Sequence, residues 1–360
     1  MNLLPNLVGM SLEEIEQYLC GLGEQRYRAQ QVFEWIYQKG ATSFAEMSNL
    51  PLALRTRLAS EAQLILPRII TTRTSAKADT VKYLLELSDG QRVETVLMRY
   101  SLDLARDRKT ICVSSQVGCP IGCPFCATGQ SGFVRNLSVG EIVGQVLTIK
   151  RDELVKTGSS KREPGITNIV FMGMGEPLLN YTALLKSIRL LNHPRGLNIG
   201  MRRITVSTAG VVPRIRDLAI ENLSITLAVS LHAANDRLRD RLVPLNRKYP
   251  LRMLITACRE YSEQTGRRVT FEYALINGVN DRPADVADLS CLLKGMLANI
   301  NVIPINPITG ADFVRSTRVR DFVRELNQAG VSAVVREERG TDIEAACGQL
   351  RARLEQDPSK

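Results

Sequence analysis

Six apolar-rich runs, at residues 110–114, 167–172, 202–207, 224–230, 268–275 and 300–304, recur along this chain, each followed by a segment of helical period. Runs without polar alternation read as strands buried on both faces, and strands that alternate with helices become parallel neighbours. The chain is therefore confined to an α/β fold, and six such units make a partial (β/α)6 barrel rather than the full eight. In such barrels the carboxyl ends of the strands converge on one face, so the residues just after each run share one cleft.

Unusual residues occupy those positions. A cysteine-rich loop follows the first strand, Gly173-Met174-Gly175-Glu176-Pro177 the second and Ser207-Thr208-Ala209-Gly210 the third. Ser230-Leu231-His232, Asn277-Gly278-Val279-Asn280-Asp281 and Asn306-Pro307 follow the others. Cys119, Cys123 and Cys126 stand at C-x-x-x-C-x-x-C spacing, one ligand too few for a closed structural zinc site. A cubane iron–sulfur cluster held by three thiolates instead keeps one iron open, and the alternative is zinc completed by a distant residue. Gly173 and Gly175 allow close backbone approach to a ligand, with carbonyls available to an ammonium group. The chain has only two histidines, His193 and His232, so general acid–base work falls to carboxylates or thiols.

At 360 residues and 44% hydrophobic, the chain suits one large domain plus an appendage. No stretch reaches roughly 18 consecutive apolar residues and the amino terminus lacks a secretory pattern, so the expectation is a cytoplasmic protein without a membrane partner. Eight cysteines fit that compartment as thiols or cluster ligands. The net charge of +10 and pI near 9.3 favour a polyanionic partner. Residues 1–62 read as a helical accessory module, opened by a capping box at Ser11 and Glu14, with further amphipathic segments near 27–39 and 49–60. Residues 63–108 read as a small β extension with a hairpin turn at Ser88-Asp89-Gly90, residues 109–360 as the barrel, and 155–165 as a surface loop.

Several stretches together resemble the RlmN and Cfr family of radical S-adenosylmethionine (SAM) RNA adenine methyltransferases. They are Cys-Val-Ser-Ser-Gln-Val-Gly-Cys, Gly-Met-Gly-Glu-Pro-Leu-Leu-Asn, Ser-Leu-His-Ala, Asn-Arg-Lys-Tyr-Pro-Leu and Asp-Ile-Glu-Ala-Ala-Cys-Gly-Gln-Leu, and the likeness covers nearly the whole chain. It implies a radical SAM barrel with one 4Fe–4S cluster on Cys119, Cys123 and Cys126, whose open iron chelates SAM. Gly175, Glu176, Ser207, Ser230, Leu231, His232 and Asn306 are then the SAM contacts. The implied reaction is methylation of adenine C2 in the peptidyl-transferase region of 23S rRNA, with the adenine beside the tRNA anticodon as a further substrate in some members. Two SAM molecules are consumed per methylation, and a donor such as flavodoxin or ferredoxin supplies electrons.

By the same resemblance Cys347 is methylated and carries the methyl group, Cys112 attacks its sulfur and forms a transient disulfide that frees the product, and Glu94 accepts the C2 proton. The connection from Glu94 to Cys112, through Tyr100-Ser101-Leu102-Asp103-Leu104, is several residues longer than the family pattern. Arg336-Glu337-Glu338-Arg339-Gly340 also departs from common forms, at positions given no chemistry. Cys20, Cys258 and Cys291 match no motif and read as core residues. Arg26, Arg28, Arg55 and Arg57 in the module and Arg202, Arg203, Arg247 and Lys248 near the cleft are candidate phosphate contacts. The rival readings are a C8-methylating relative of the same family and a non-catalytic zinc-bearing RNA-binding protein.

Replacing any one of Cys119, Cys123 or Cys126 with Ala is expected to abolish SAM cleavage by anaerobically reconstituted protein. Metal analysis of the wild type checks the premise: stoichiometric zinc without iron contradicts the cluster.

Overall fold

Ser11 opens the first helix as the sequence indicates, its hydroxyl accepting from the Glu14 N–H while the Glu14 carboxylate accepts from the Ser11 N–H. The computed structural model, which describes residues 4–100, 108–156, 165–308 and 310–352, places three helices in the amino-terminal module: α1 (Leu12–Gly21), α2 (Tyr27–Phe33) and α3 (Leu52–Glu61). A π-helical turn extends α2 to Lys39 and stops at Gly40, whose φ of 73° only glycine adopts without strain. The module rests on the barrel. Tyr37 Oη accepts from the Gly9 N–H and donates to the Met10 carbonyl, Glu14 pairs with Lys186, and one continuous apolar cluster runs from Leu7, Phe33 and Ile36 into the barrel core.

Among the described residues ten strands form one sheet. Three antiparallel strands, β1 (Arg68–Thr74), β2 (Thr80–Glu86) and β3 (Arg92–Tyr100), lead into β4 (Arg108–Cys112), which pairs antiparallel with β3 and places Val96 opposite Cys112. The extension therefore continues the barrel sheet. A short ribbon, β5 (Gln116–Gly118) with β6 (Phe133–Asn136), brackets the cysteine loop. The parallel run continues through β7 (Asn168–Phe171), β8 (Ile204–Thr208), β9 (Thr226–Ser230), β10 (Val269–Leu275) and β11 (Ala298–Pro304). A seventh parallel strand that the apolar runs did not indicate, β12 (Ala333–Val335), closes the order. Helices α5 (Val139–Lys156), α6 (Tyr181–Asn192), α7 (Val212–Ile220), α8 (Asp236–Leu242), α9 (Leu251–Thr265), α10 (Pro283–Leu293) and α11 (Val319–Gln328) make the crossovers, after a one-turn α4 (Ala127–Gln130) in the cysteine loop. Among the described residues no helix is long and apolar enough to cross a membrane.

Some expectations change. Cys258 is buried, but Cys20 and Cys291 are exposed. On α1 the apolar face is carried by Ile15 and Leu19, which turns Cys20 outward. Arg202 and Arg203 lie in the turn entering β8, at the amino end of that strand and thus away from the cleft rim. Most of the expected loop at 155–165 and the inserted Ser101-Leu102-Asp103-Leu104 fall outside the described residues.

Arg239 on α8 fastens two strand ends together. Only 1% exposed, it donates from Nη2 to the carbonyls of Ala209 (2.7 Å) and Ser230 (2.9 Å), from Nε to Leu231 (3.1 Å), and from Nη1 to Asn246 Oδ1 (2.9 Å). Nothing smaller than a guanidinium fork reaches all four acceptors. Arg239→Lys is expected to cost about 3 kcal/mol in denaturant unfolding, because buried carbonyls lose their donors; a loss under about 1 kcal/mol shows that water replaces the fork.

Candidate active site

One cavity at the carboxyl rim gathers most of the sequence-derived residues. Cys119, Cys123 and Cys126 line it together with Gly175, Glu176, Ser207, Ser230, His232, Asn306 and Cys347. Leu231 does not join them: its side chain is fully buried, its N–H donates to the Glu272 carbonyl and its own carbonyl accepts from Arg239. Glu94 is absent from the lining as well, and it is buried, 4% exposed.

The two glycines serve close packing. Gly175 has φ 103°, and a Cβ there would stand 2.6 Å from Gln116 Cβ; at Gly173 it would stand 2.7 Å from the Val113 carbonyl oxygen. The strand end is thereby pressed against the segment leading to Cys119. Between them, the Met174 carbonyl accepts from Ser115 and Gln116 N–H and so faces β5 rather than the cavity. Glu176 braces two rim loops: Oε2 accepts from Ala209 N–H (2.6 Å) and Oε1 from Leu178 N–H (3.0 Å). Burial pushes its carboxyl up to about 7, against the pull of those N–H donors. His232 is buried with its Nδ1 accepting from Ala274 N–H at 3.0 Å, while the Phe125 ring meets its ring edge-on at 4.9 Å. With Nδ1 an acceptor, the neutral ring carries its proton on Nε2 and can donate.

The donor set suits the cluster. Three thiols border one cavity and are close enough to raise one another: Cys123 stands well above its usual value, first through burial and then through Cys126 and Cys119, while Arg239 opposes the shift. Three thiolates on one cavity wall are the donor type that iron–sulfur clusters take. Cys119, Cys123 and Cys126 would hold the cluster.

A second cavity abuts the first. Cys112, Met98, Val170 and Leu350 line it, and Met172, Ile303, Asn306, Arg336 and Cys347 border both. Burial pushes the Cys112 thiol up to about 12, with Cys347 adding and Arg336 opposing. Arg336, given no chemistry from the sequence, pairs with Glu272 at 3.2 Å on the shared wall. It directly follows β12, so recognising that strand would have brought it under the strand-end rule. All eight cysteines are free thiols.

Comparison with known proteins places this geometry in a lineage. The family described as Ribosomal RNA large subunit methyltransferase N-terminal domain matches residues 5–64, and the Radical SAM superfamily matches residues 113–290. A protein of Syntrophomonas wolfei described as a probable dual-specificity RNA methyltransferase RlmN is 50% identical over 348 residues, covering 96% of this chain and 97% of that one. Its namesake in Geobacillus kaustophilus is 45% identical over 352 residues, covering 97% and 93%. The crystal structure of a radical SAM methyltransferase from Sphaerobacter thermophilus superimposes with a TM-score of 0.91 at 48% identity, covering 97% of this chain and all of that one.

Burial, and then Arg239, lower His232 from near 6.5 to about 3, so the folded protein holds this ring neutral across a window where the unfolded chain protonates it. Its contribution to stability is full above pH 6.5 and is lost progressively as pH falls towards 3. Urea unfolding of the apo-protein between pH 7.5 and 4 is expected to show a shallower acid decline in His232→Gln than in wild type; parallel declines mean the ring is protonated in the fold.

Proposed function

The chain belongs to the RlmN family of radical SAM RNA methyltransferases, and on that premise we propose that it methylates C2 of an adenine in the peptidyl-transferase region of 23S rRNA, with the adenine beside the tRNA anticodon as a second substrate. One observation carries the reading: Cys347 stands in the wall common to the cavity of the three cluster cysteines and the cavity of Cys112. A side chain in that position can receive a methyl group on one side and meet a base on the other.

The chemistry explains why such a carrier is needed. Adenine C2 lies between two ring nitrogens and is too electron-poor to attack a sulfonium methyl. Bound at the rim, the cluster and SAM supply the electron, the methyl group and the hydrogen abstraction, as cofactors do where side chains cannot. Cys119, Cys123 and Cys126 hold the cluster. Gly175, Glu176, Ser207, Ser230, His232 and Asn306 orient SAM, with His232 Nε2 as a fixed donor. Cys347 carries the carbon to C2, and Glu94 accepts the C2 proton. Cys112, having lost its proton, then bonds to the Cys347 sulfur as the sulfur–carbon bond breaks; that bond's electrons and a proton complete the methyl group on C2, and the resulting disulfide is reduced by an external dithiol.

For RNA, residues 1–62 are the proposed accessory surface, residues 63–108 the linking extension and residues 109–360 the catalytic domain. Tyr27 is 55% exposed with the Arg28 guanidinium over its ring at 4.6 Å, a pairing that offers a base both a stacking face and a phosphate contact. The net charge of +10 supports that partner, and a flavodoxin or ferredoxin is the proposed electron source.

Cys112→Ala is expected to form the methylene link to RNA and fail to resolve it, leaving enzyme and RNA covalently joined. A nuclease-resistant nucleotide on the tryptic peptide containing Cys347 checks this, and Cys347→Ala must give neither adduct nor product. Mass spectrometry with NMR of the wild-type product decides the site: a methyl at C8 would overturn the C2 assignment, and normal release by Cys112→Ala would remove Cys112 from the mechanism.

A further inference from the structure

Cys347 lies on an irregular strap that belongs to neither helix nor sheet, so nothing in its own backbone fixes its direction. Side and main chains from distant elements hold it. Lys82 Nζ donates to the Glu344 carbonyl (3.3 Å), Asn306 Nδ2 to Cys347 (3.1 Å), Ala127 N–H to Gly348 (2.7 Å) and Thr128 Oγ1 to Leu350 (2.7 Å). Two grips run the other way: Gln349 Nε2 donates to the Pro307 carbonyl (3.2 Å) and Arg351 N–H to Glu94 Oε2 (2.7 Å).

Glu94 and Lys82 act together. In the β2–β3 register Leu84 stands opposite Glu94 and Val96 opposite Lys82, so the two charged residues are diagonal neighbours on one face of the sheet. Their side chains, 6% and 8% exposed, pair at 3.4 Å through Glu94 Oε1. This single buried pair therefore grips the strap on both sides of the cysteine, at Glu344 and at Arg351. Both carboxylate oxygens are engaged, and Glu94 lines neither of the two cavities.

We propose that Glu94 is a positioning residue for Cys347, a latch whose hydrogen bond to Arg351 holds the strap so that the thiol faces the cluster cavity before any base arrives. The inference rests on Cys347 being the methyl carrier, and it adds to Glu94 a role that precedes proton acceptance. The two roles need different chemistry. Latching needs an acceptor oxygen at the reach of a glutamate arm, whereas accepting a proton needs a basic carboxylate. Glu94→Gln keeps one acceptor oxygen for Arg351 and loses both the basic carboxylate and the charge that faces Lys82. Glu94→Asp keeps the carboxylate and its charge towards Lys82 but withdraws it from Arg351 by one methylene.

The test uses anaerobically reconstituted holoenzyme of wild type, Glu94→Gln, Glu94→Asp and Glu94→Ala, matched for iron content and melting temperature. Each is incubated with SAM without RNA, and the Cys347 peptide is weighed for an S-methyl group. In parallel, the rate at which iodoacetamide alkylates Cys347 is measured before SAM is added. Glu94→Gln is expected to load Cys347 within about twofold of wild type while losing RNA turnover; Glu94→Asp and Glu94→Ala are expected to load about five- to tenfold less and to change the alkylation rate several-fold, the scale of one lost buried hydrogen bond. Loading by Asp and Ala at the wild-type level, or loss of loading in Gln equal to that in Ala, overturns the latch. Should Ala fail to fold, the Gln and Asp pair decides alone. A wild type that never carries methyl on Cys347 defeats the carrier reading instead, and the alkylation rates, which need no methyl transfer, still judge the latch.

Discussion

Parallel strands deliver their last carbonyls to a common rim, and a rim that must exclude water leaves those oxygens in need of donors. Much of this structure answers that need. Arg239 takes the carbonyls of Ala209, Ser230 and Leu231; Asn280 donates from Nδ2 to His232 and Ala274, and Asn180 to Ser115 and Leu137. Each donor is almost wholly buried. These rim carbonyls are consequently held by side chains that do not line the cavity, and several residues that do line it inherit their positions. His232 is the clearest case: its φ of 59° is a left-handed conformation that a non-glycine residue holds only when its surroundings enforce it, and the Asn280 bond to its carbonyl is part of that enforcement.

The same requirement separates what the sequence makes legible from what it hides. Strands β7 to β11 were visible because strands covered on both faces are continuous apolar runs, and the glycines and cysteines after them were visible because those residue types are costly or reactive without a purpose. Strand β12 has three residues, two of them exposed, which is too little to show any period. Arg336 went unread with it. Asn280 was read as part of a strand-end loop at the cleft and is a carbonyl clamp, while Arg239, inside a charged helical stretch, carried no signal of its own. Arg202 and Arg203 were placed on the cleft because a basic pair beside a strand does not reveal which end of the strand it occupies.

The strap is the extreme case of illegibility. Glu344 to Arg351 has no periodicity, and its grips reach back as far as 262 positions to Lys82 and 257 to Glu94. Only the motif around Cys347 marked it, through resemblance to relatives. Its docking explains how an exposed thiol can serve a defined geometry: the cysteine is held by its backbone while its sulfur remains free to work on either side of the shared wall. Arg336 borders both cavities and its partner Glu272 the cluster cavity alone, so the guanidinium is the charge the two cavities share.

The bond from Thr128 to Leu350 joins residues 222 positions apart, and that separation sets a timetable for biogenesis. Synthesis runs from the amino terminus at roughly 5–20 residues per second. The three cysteines therefore leave the ribosome well before the segment that will cover their loop. During that interval no strap lies over the loop that carries the three thiols. Once the strap has docked through Ala127 and Thr128, the same loop lies beneath it.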